Sequence, residues 1–171
     1  FNKIIDFLKH NKKFTEDWNP LNILSCDAAT VGNFDLGLVN NENNLLNDLK
    51  SHKFDIVYLV GQDNLNFDKK DEFIIYQGSH GDRGAEIADV ILPSAAFTEQ
   101  NGLYENLEGR VQECKKASYP VGEALEDWKI FNLIIKKLDQ NEHFLNFDSL
   151  RKEALNIIPN FSELNSLPIF K

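Results

Sequence analysis

Apolar side chains fall in short blocks along the chain, and the spacing within each block predicts its conformation. Phe54-Asp55-Ile56-Val57-Tyr58-Leu59-Val60 is β-branched or aromatic almost throughout and is stopped by Gly61. A run this continuous suits a strand covered on both faces, as in a parallel sheet. Phe73-Ile74-Ile75-Tyr76 predicts a second strand, and Val90-Ile91-Leu92, ended by Pro93, a third. Leu21 to Leu24 is a further apolar run and a candidate buried strand. Helical or irregular pieces separate these runs. That alternation predicts an α/β fold, doubly wound around a mostly parallel sheet.

The helical period appears elsewhere. Residues 3–10 read as the end of a helix, followed by a linker at Asp17-Trp18-Asn19-Pro20. Gly32 and Gly37 bracket an irregular stretch with Phe34, Leu36 and Leu38. Asn40 to Asn44 is a polar loop, and Asn44 or a neighbour is placed to cap a short helix carrying Leu45, Leu46 and Leu49. Residues 123–138 give the strongest helix: Trp128, Phe131, Ile135 and Leu138 share one face. Acids at Glu123, Glu126 and Asp127 and lysines at 136 and 137 complement its dipole. A last helix is expected to start with Asp148 or Ser149 as cap, to bury Leu150, Ala154 and Ile157, and to stop at Pro159. The tail from Phe161 reads as extended.

Between the last strand and the long helix the pattern changes. Leu103-Tyr104-Glu105-Asn106 and Arg110-Val111-Gln112-Glu113-Cys114 flank Leu107-Glu108-Gly109, which predicts an antiparallel hairpin with glycine last in its turn. The whole chain, residues 1–171, reads as one α/β domain. Within it, 1–20 is a helix end and linker, 21–96 the α/β core, 97–117 the hairpin and 123–158 the C-terminal helices.

Charge narrows the partners. With 27 acidic and 18 basic residues the chain carries a net charge of -9, which argues against a phosphate-backbone partner. No nucleic-acid role is expected. No apolar stretch approaches the roughly 20 residues a membrane-spanning helix needs, so direct membrane insertion is not expected either. The chain opens at Phe1 inside a helical pattern and has no methionine. A fragment of a longer protein is the expectation, and no secretory leader is visible.

Candidate chemistry is sparse. Cys26 and Cys114 stand alone, and His10, His52 and His143 have no ligand-spaced partners, so neither a disulfide framework nor a metal centre is expected. Asn160-Phe161-Ser162 matches a glycosylation acceptor, read here as chance. Gly78-Ser79-His80-Gly81-Asp82-Arg83-Gly84 follows a strand, where α/β folds bind ligands. Its glycines could cradle a phosphate, or merely supply unusual dihedrals in a tight turn. The spacing is neither a dinucleotide fingerprint nor a P-loop. His80 near Asp82 reads as a turn histidine satisfied by backbone, with no nucleophile placed to use it. Glu99, Glu105 and Glu108 near the hairpin read as exposed acids, and Arg110 with Glu108 as a charge-assisted brace of the turn. No catalytic residue is expected.

A longer stretch adds more. Ala88-Asp89-Val90-Ile91-Leu92-Pro93-Ser94-Ala95-Ala96-Phe97-Thr98-Glu99, then Gly102 and Asn106-Leu107-Glu108-Gly109-Arg110-Val111-Gln112, resembles the signature of the molybdopterin oxidoreductase superfamily. Tyr76-Gln77-Gly78-Ser79-His80-Gly81-Asp82 is similar to the branch found in the large iron–sulfur subunit of NADH:quinone oxidoreductase, respiratory complex I. Leu21 to Leu24, Val31-Gly32, Leu36-Gly37, Glu123-Ala124, Asp127-Trp128 and Phe147 to Leu150 fit the same branch, so the resemblance covers roughly Trp18 to Leu155. Leu103 departs from the Thr common in relatives.

The resemblance implies a C-terminal, scaffolding segment of a subunit that carries electrons from NADH towards quinone in the peripheral arm. It implies 2Fe-2S and 4Fe-4S clusters elsewhere in that subunit, held by cysteine groups absent here, and no cofactor in the segment. Partners would be the rest of the subunit and other peripheral-arm subunits. The place would be the cytoplasmic face of a bacterial inner membrane, or the matrix side in mitochondria. Gly78, Gly81 and Gly84 would then be remnants of a nucleotide-pterin pocket. The corresponding part of a formate-dehydrogenase-like molybdenum enzyme is the alternative, and an unrelated binding module stays open behind it.

Overall fold

The computed structural model describes residues 2–15, 19–21, 24–25, 27–28, 30–39, 45–65, 67–139, 144–157 and 164–165. Two short helices and a surface helix precede the sheet: α1 (Asn2–His10), α2 (Thr30–Asp35) and α3 (Leu45–Lys50). The sheet strands are β1 (Ile56–Val60), β2 (Phe73–Gly78) and β3 (Val90–Pro93), with α4 (Arg83–Ile87) between the last two. The hairpin is β4 (Gly102–Glu105) and β5 (Val111–Cys114), followed by α5 (Asp127–Asp139) and α6 (Phe147–Ile157).

The three strands pair in parallel in the order β1-β2-β3, with Leu59 opposite Tyr76 and Tyr76 opposite Ile91. Strand alternation sends Leu59, Ile74 and Tyr76 to one face. There they meet Leu49 of α3 and Phe67, with Val57, Leu65 and Ala85 packed around them. The other face carries Tyr58, whose ring meets Phe131 of α5 edge-on at 6.0 Å. The sheet therefore has cover on two sides, as the doubly wound expectation requires. Extended backbone continues past β3: Ser94 bridges Leu125 in parallel, and Ala95 N donates to Leu125 O at 2.8 Å.

Two acids, buried Glu72 and exposed Asp89, fasten the sheet's amino-terminal end. Glu72 accepts the Lys70 N–H at 2.8 Å and the His52 imidazole. Hydrogen bonds from the Lys70 N–H and its own N–H, ahead of the His52 contact, hold its carboxyl down to about 2. Asp89 accepts the Ile74 N–H at 2.8 Å and pairs with Lys69 at 2.5 Å, and the same two contacts, backbone first, hold its pKa below the ordinary carboxylate value.

Several expectations need correction. Leu21 and Leu24 lie in no strand, and Leu24 is 83% exposed; Asn22 and Ile23 lie outside the described residues. The stretch between Gly32 and Gly37 is helical from Thr30 to Asp35 rather than irregular, and Gly37 ends it at φ 68°. β1 is an edge strand, not one covered throughout: Ile56 is 65% exposed. The long helix starts at Asp127 because Leu125 is spent pairing with Pro93 and Ala95, and Ala124 N donates to Val121 O in the turn before it. Its buried anchor is Ile130, while Leu138 is 77% exposed, so the face that packs is rotated from the one the spacing indicated.

The last helix is capped by Asn146 instead of Asp148 or Ser149. Asn146 Oδ1 accepts the Ser149 N–H at 2.9 Å, and Ile157 is 67% exposed at the far end. The predicted caps at Asn40 to Asn44, the stop at Pro159 and most of the tail lie outside the described residues, as do Cys26, His143 and the Asn160 acceptor. No helix among the described residues is long and apolar enough to cross a membrane.

The hairpin closes as expected. Gly109 N donates to Asn106 O at 3.0 Å, and Asn106 N to Arg110 O at 3.0 Å. Gly109 sits at φ 78°, which only glycine adopts without strain. The brace is Asn106, whose Oδ1 accepts the N–H of Glu108 at 3.0 Å and of Arg110 at 2.9 Å.

Candidate functional site at the carboxyl ends of the strands

In a parallel sheet every strand delivers its last residue to the same edge, and ligands bind there. Two constructions occupy this edge. The first is a polar hub. Gln77, fully buried on β2, donates through Nε2 to Asp127 Oδ1 at 2.6 Å and accepts from Tyr58 Oη through Oε1 at 2.5 Å. Ser94 Oγ donates to Asp127 Oδ1 at 2.8 Å, and Gln100 Nε2 donates to Oδ2 at 2.8 Å. Gln100 Oε1 in turn accepts the Asp127 N–H at 3.1 Å. The carboxylate is thus satisfied by protein donors, and the first turn of α5 is tied to β2 and to the segment that follows β3. Burial, and then the Asp127 charge, push the Tyr58 phenol pKa up. In the sequence Asp127 was only an acid at the start of the long helix, and nothing signalled that Gln77, Ser94 and Gln100 meet it. Its members are 50 positions apart, Gln77 to Asp127, and only the fold joins them.

The second construction is the Gly78–Gly84 turn. A Cβ on Gly78 would lie 2.2 Å from the Tyr76 hydroxyl, and one on Gly84 would lie 2.6 Å from Tyr76 Cδ2. Gly81 is exposed, with nothing within 4 Å of a Cβ there. None of the three has a positive φ, so unusual dihedrals are not their purpose. Two of them clear space for the Tyr76 ring, which is 1% exposed and donates its hydroxyl to His80 O at 2.8 Å. Burial first, then the carboxylates of Asp63 and Asp82, raise the phenol pKa far above its ordinary value.

His80 itself is exposed. Its Nδ1 meets the Ser79 hydroxyl at 2.9 Å rather than the backbone group expected, and its carbonyl is the acceptor for Tyr76. Arg83, an exposed cation, pairs with Glu86 at 3.3 Å.

Near the hairpin the acids separate. Glu108 is exposed and Glu99 caps a turn, accepting Ala96 N at 3.0 Å. Glu105, expected among exposed acids, is 8% exposed, and both its oxygens lack a hydrogen-bond donor. It faces α2, and burial, then the Asp35 charge, push its pKa up to about 7. Strand alternation puts position 105 opposite Val111, on the inward face of the hairpin. Among the described residues no group of three or more His, Cys, Asp or Glu side chains could hold a metal ion.

A family model described as molybdopterin oxidoreductase matches residues 1–137. The chain belongs to the molybdopterin oxidoreductase family. Among its relatives, the NADH-ubiquinone oxidoreductase 75 kDa subunit of Reclinomonas americana is 38% identical over 171 residues, covering 96% of this chain and 25% of that protein. The NADH dehydrogenase [ubiquinone] iron-sulfur protein 1 of Solanum tuberosum is 41% identical over 159 residues, 92% of this chain and 21% of the relative. An NADH-quinone oxidoreductase subunit of Rickettsia bellii is 42% identical over 166 residues, 96% of this chain and 23% of the relative. The chain spans about a quarter of the length of the curated relatives it matches. A formate-dehydrogenase-like assignment is not favoured by these matches.

Membership of the molybdopterin oxidoreductase family raises the question of its cofactor. The Gly78–Gly84 turn does not fit a pterin nucleotide. The Tyr76 ring fills the space its glycines open, the Asp82 carboxylate sets like charge beside any phosphate, and the turn's cation, Arg83, is engaged by Glu86.

Proposed function

We propose that the chain is a structural, non-catalytic segment of the large iron–sulfur subunit of NADH:quinone oxidoreductase, the subunit that carries electrons from NADH towards quinone. The observation that carries this reading is the match, at 38–42% identity over nearly the whole chain, to relatives named as subunits of that complex. Residues 1–171 act as one α/β unit. The iron–sulfur clusters belong to the rest of the subunit. The Gly78, Gly81 and Gly84 turn is a remnant of a ligand pocket that has become a packing device and binds no nucleotide usefully.

The partners are the remainder of the subunit and its neighbours in the peripheral arm. They reside on the cytoplasmic face of a bacterial inner membrane, or on the matrix side of a mitochondrial one. Apolar surface supports this. Beside β1 lies a cavity of about 760 Å³ lined by Leu45, Leu46, Leu49, Phe54 and Leu65, and Val60 on the same edge strand is 49% exposed. Beyond β3 a groove runs between Leu92, Leu125, Ile130 and Leu133. Strand edges of this kind invite pairing.

A tagged chain, made in cells that assemble the complex, should co-migrate with NADH-oxidising activity on native gels of solubilised membranes. Recovery only as free chain, away from that activity, refutes the reading.

A further inference from the structure

The hairpin hides a carboxylate that has no neutralising partner among the described residues. Glu105, the last residue of β4, is 8% exposed, and neither Oε1 nor Oε2 receives a hydrogen bond. It lines a cavity of about 330 Å³ between α2, β4 and α6. The rest of the wall is mostly apolar and includes Leu36, Leu103, Leu150 and Ala154. Gly32 of α2 sets no side chain against the carboxylate, and a Cβ there would lie 3.7 Å from Oε2. Arg151 of α6 reaches the cavity, but its guanidinium pairs with Glu113 of β5 at 2.6 Å. Asp35 of α2 adds negative charge beside Glu105 instead of relieving it.

We infer that this cavity is a binding site for a primary alkylammonium group, with Glu105 as its counter-ion and the apolar wall as the seat of its alkyl stem. An ionised carboxylate buried without a donor is unfavourable, and an N–H-bearing cation supplies both the missing charge and the missing hydrogen bonds. An anion would meet two carboxylates. A metal ion needs several ligands, and among the described residues no group of three or more His, Cys, Asp or Glu side chains could hold one. A mostly apolar wall with one buried carboxylate suits a ligand with an apolar stem and a single charged head, as a lysine side chain is. Two sources carry this chemistry: a free aliphatic amine, and a lysine side chain on a neighbouring polypeptide. Either binds the ionised carboxylate, and so displaces the proton that burial and Asp35 hold on Glu105 up to about pH 7.

Amide resonances of the wild-type chain would be followed as n-butylammonium chloride is added at about pH 8, where Glu105 is ionised, with potassium chloride and n-butanol as controls. The amides of Gly32, Leu103, Glu105 and Leu150 should shift saturably, with a Kd on the order of 1–10 mM. Potassium lacks the N–H head and the stem, and butanol lacks the charge, so neither should saturate these resonances. Affinity should fall about tenfold for each pH unit below the Glu105 pKa of about 7. Glu105→Gln keeps the shape and loses the charge, and should bind about tenfold or more weakly. Glu105→Val, which has neither charge nor acceptor, should not bind, and it serves if the glutamine variant fails to fold.

The titration would be repeated with Nα-acetyl-lysine methylamide. Binding at least as tight as that of butylammonium assigns the site to a lysine side chain, and weaker binding assigns it to a free amine; both uphold the inference. No saturable shift with either amine overturns it. Equal saturation by potassium, or by butanol, overturns it too, since the site would then hold any cation or any apolar stem. Wild-type affinity in Glu105→Gln or Glu105→Val overturns the role of the carboxylate and the inference with it.

Discussion

Replacing Glu105 with valine should make the protein more stable at neutral and alkaline pH. Glu105 is 8% exposed, its two carboxyl oxygens have no donor, and Asp35 places a second negative charge nearby. These conditions raise its pKa from an ordinary 4.5 to about 7. A carboxyl held more tightly protonated in the folded state stabilises fully below the unfolded value. That contribution is lost as pH rises through the folded one. The loss therefore spans the window from 4.5 to about 7. The whole displacement corresponds to about 3 kcal/mol at most. Water reaching the cavity of about 330 Å³ beside Glu105 reduces this, so about 1–3 kcal/mol is expected, as for other unsatisfied buried groups.

Valine at this position faces Val111 across the hairpin and adds an apolar cross-strand pair. Urea unfolding at about pH 8 should show the variant more stable, with a melting temperature higher by roughly 2–4 °C per kcal/mol. At about pH 4 the gap should narrow, because Glu105 is then neutral in both states. A variant less stable than wild type at the higher pH, or a difference that does not change with pH, would refute the reasoning.

Three further outcomes follow from contacts described above. Gly109→Val forces a branched side chain to φ 78° and should cost on the order of 1 kcal/mol or more in thermal unfolding; an unchanged melting curve would mean the turn geometry is ordinary. Asp127→Ala strands Gln77, Ser94 and Gln100 as buried donors and should cost about 3 kcal/mol, with loss of helix signal from α5 as the companion readout; a change within about 0.5 kcal/mol would deny the hub its role. Glu72, with its pKa depressed from 4.5 to about 2, contributes stability above the upper value that is lost as pH falls through the lower one. Glu72→Gln should therefore flatten the acid limb of the stability curve, and a variant with the wild-type acid limb would contradict the assignment.

The parallel strands, the hairpin and the existence of the long helix were legible in the residues themselves. Ile56 to Val60 is β-branched and aromatic, Gly109 is last in a three-residue turn, and Lys136 and Lys137 close a helix opened by acids. The strand character of these residues, the hairpin turn and the helix ends are each local signals, which a linear pattern records. What the pattern could not record was which neighbour arrives from elsewhere in the chain. Leu24 has the apolar character of a buried strand but is exposed, because burial needs a partner surface and not just an apolar residue. Helix α5 buries Ile130 and exposes Leu138, since the sheet and the extended residues before the helix set its rotation. Glu105 was one acid among three until the hairpin turned it inward beneath α2. The glycines of the 78–84 turn could have cradled a phosphate or merely shaped a tight turn, and only the tertiary structure put the Tyr76 ring between Gly78 and Gly84. The glycines and the ring they admit lie within nine residues of each other. Their relation is steric and three-dimensional, so composition and periodicity alone could not have carried it.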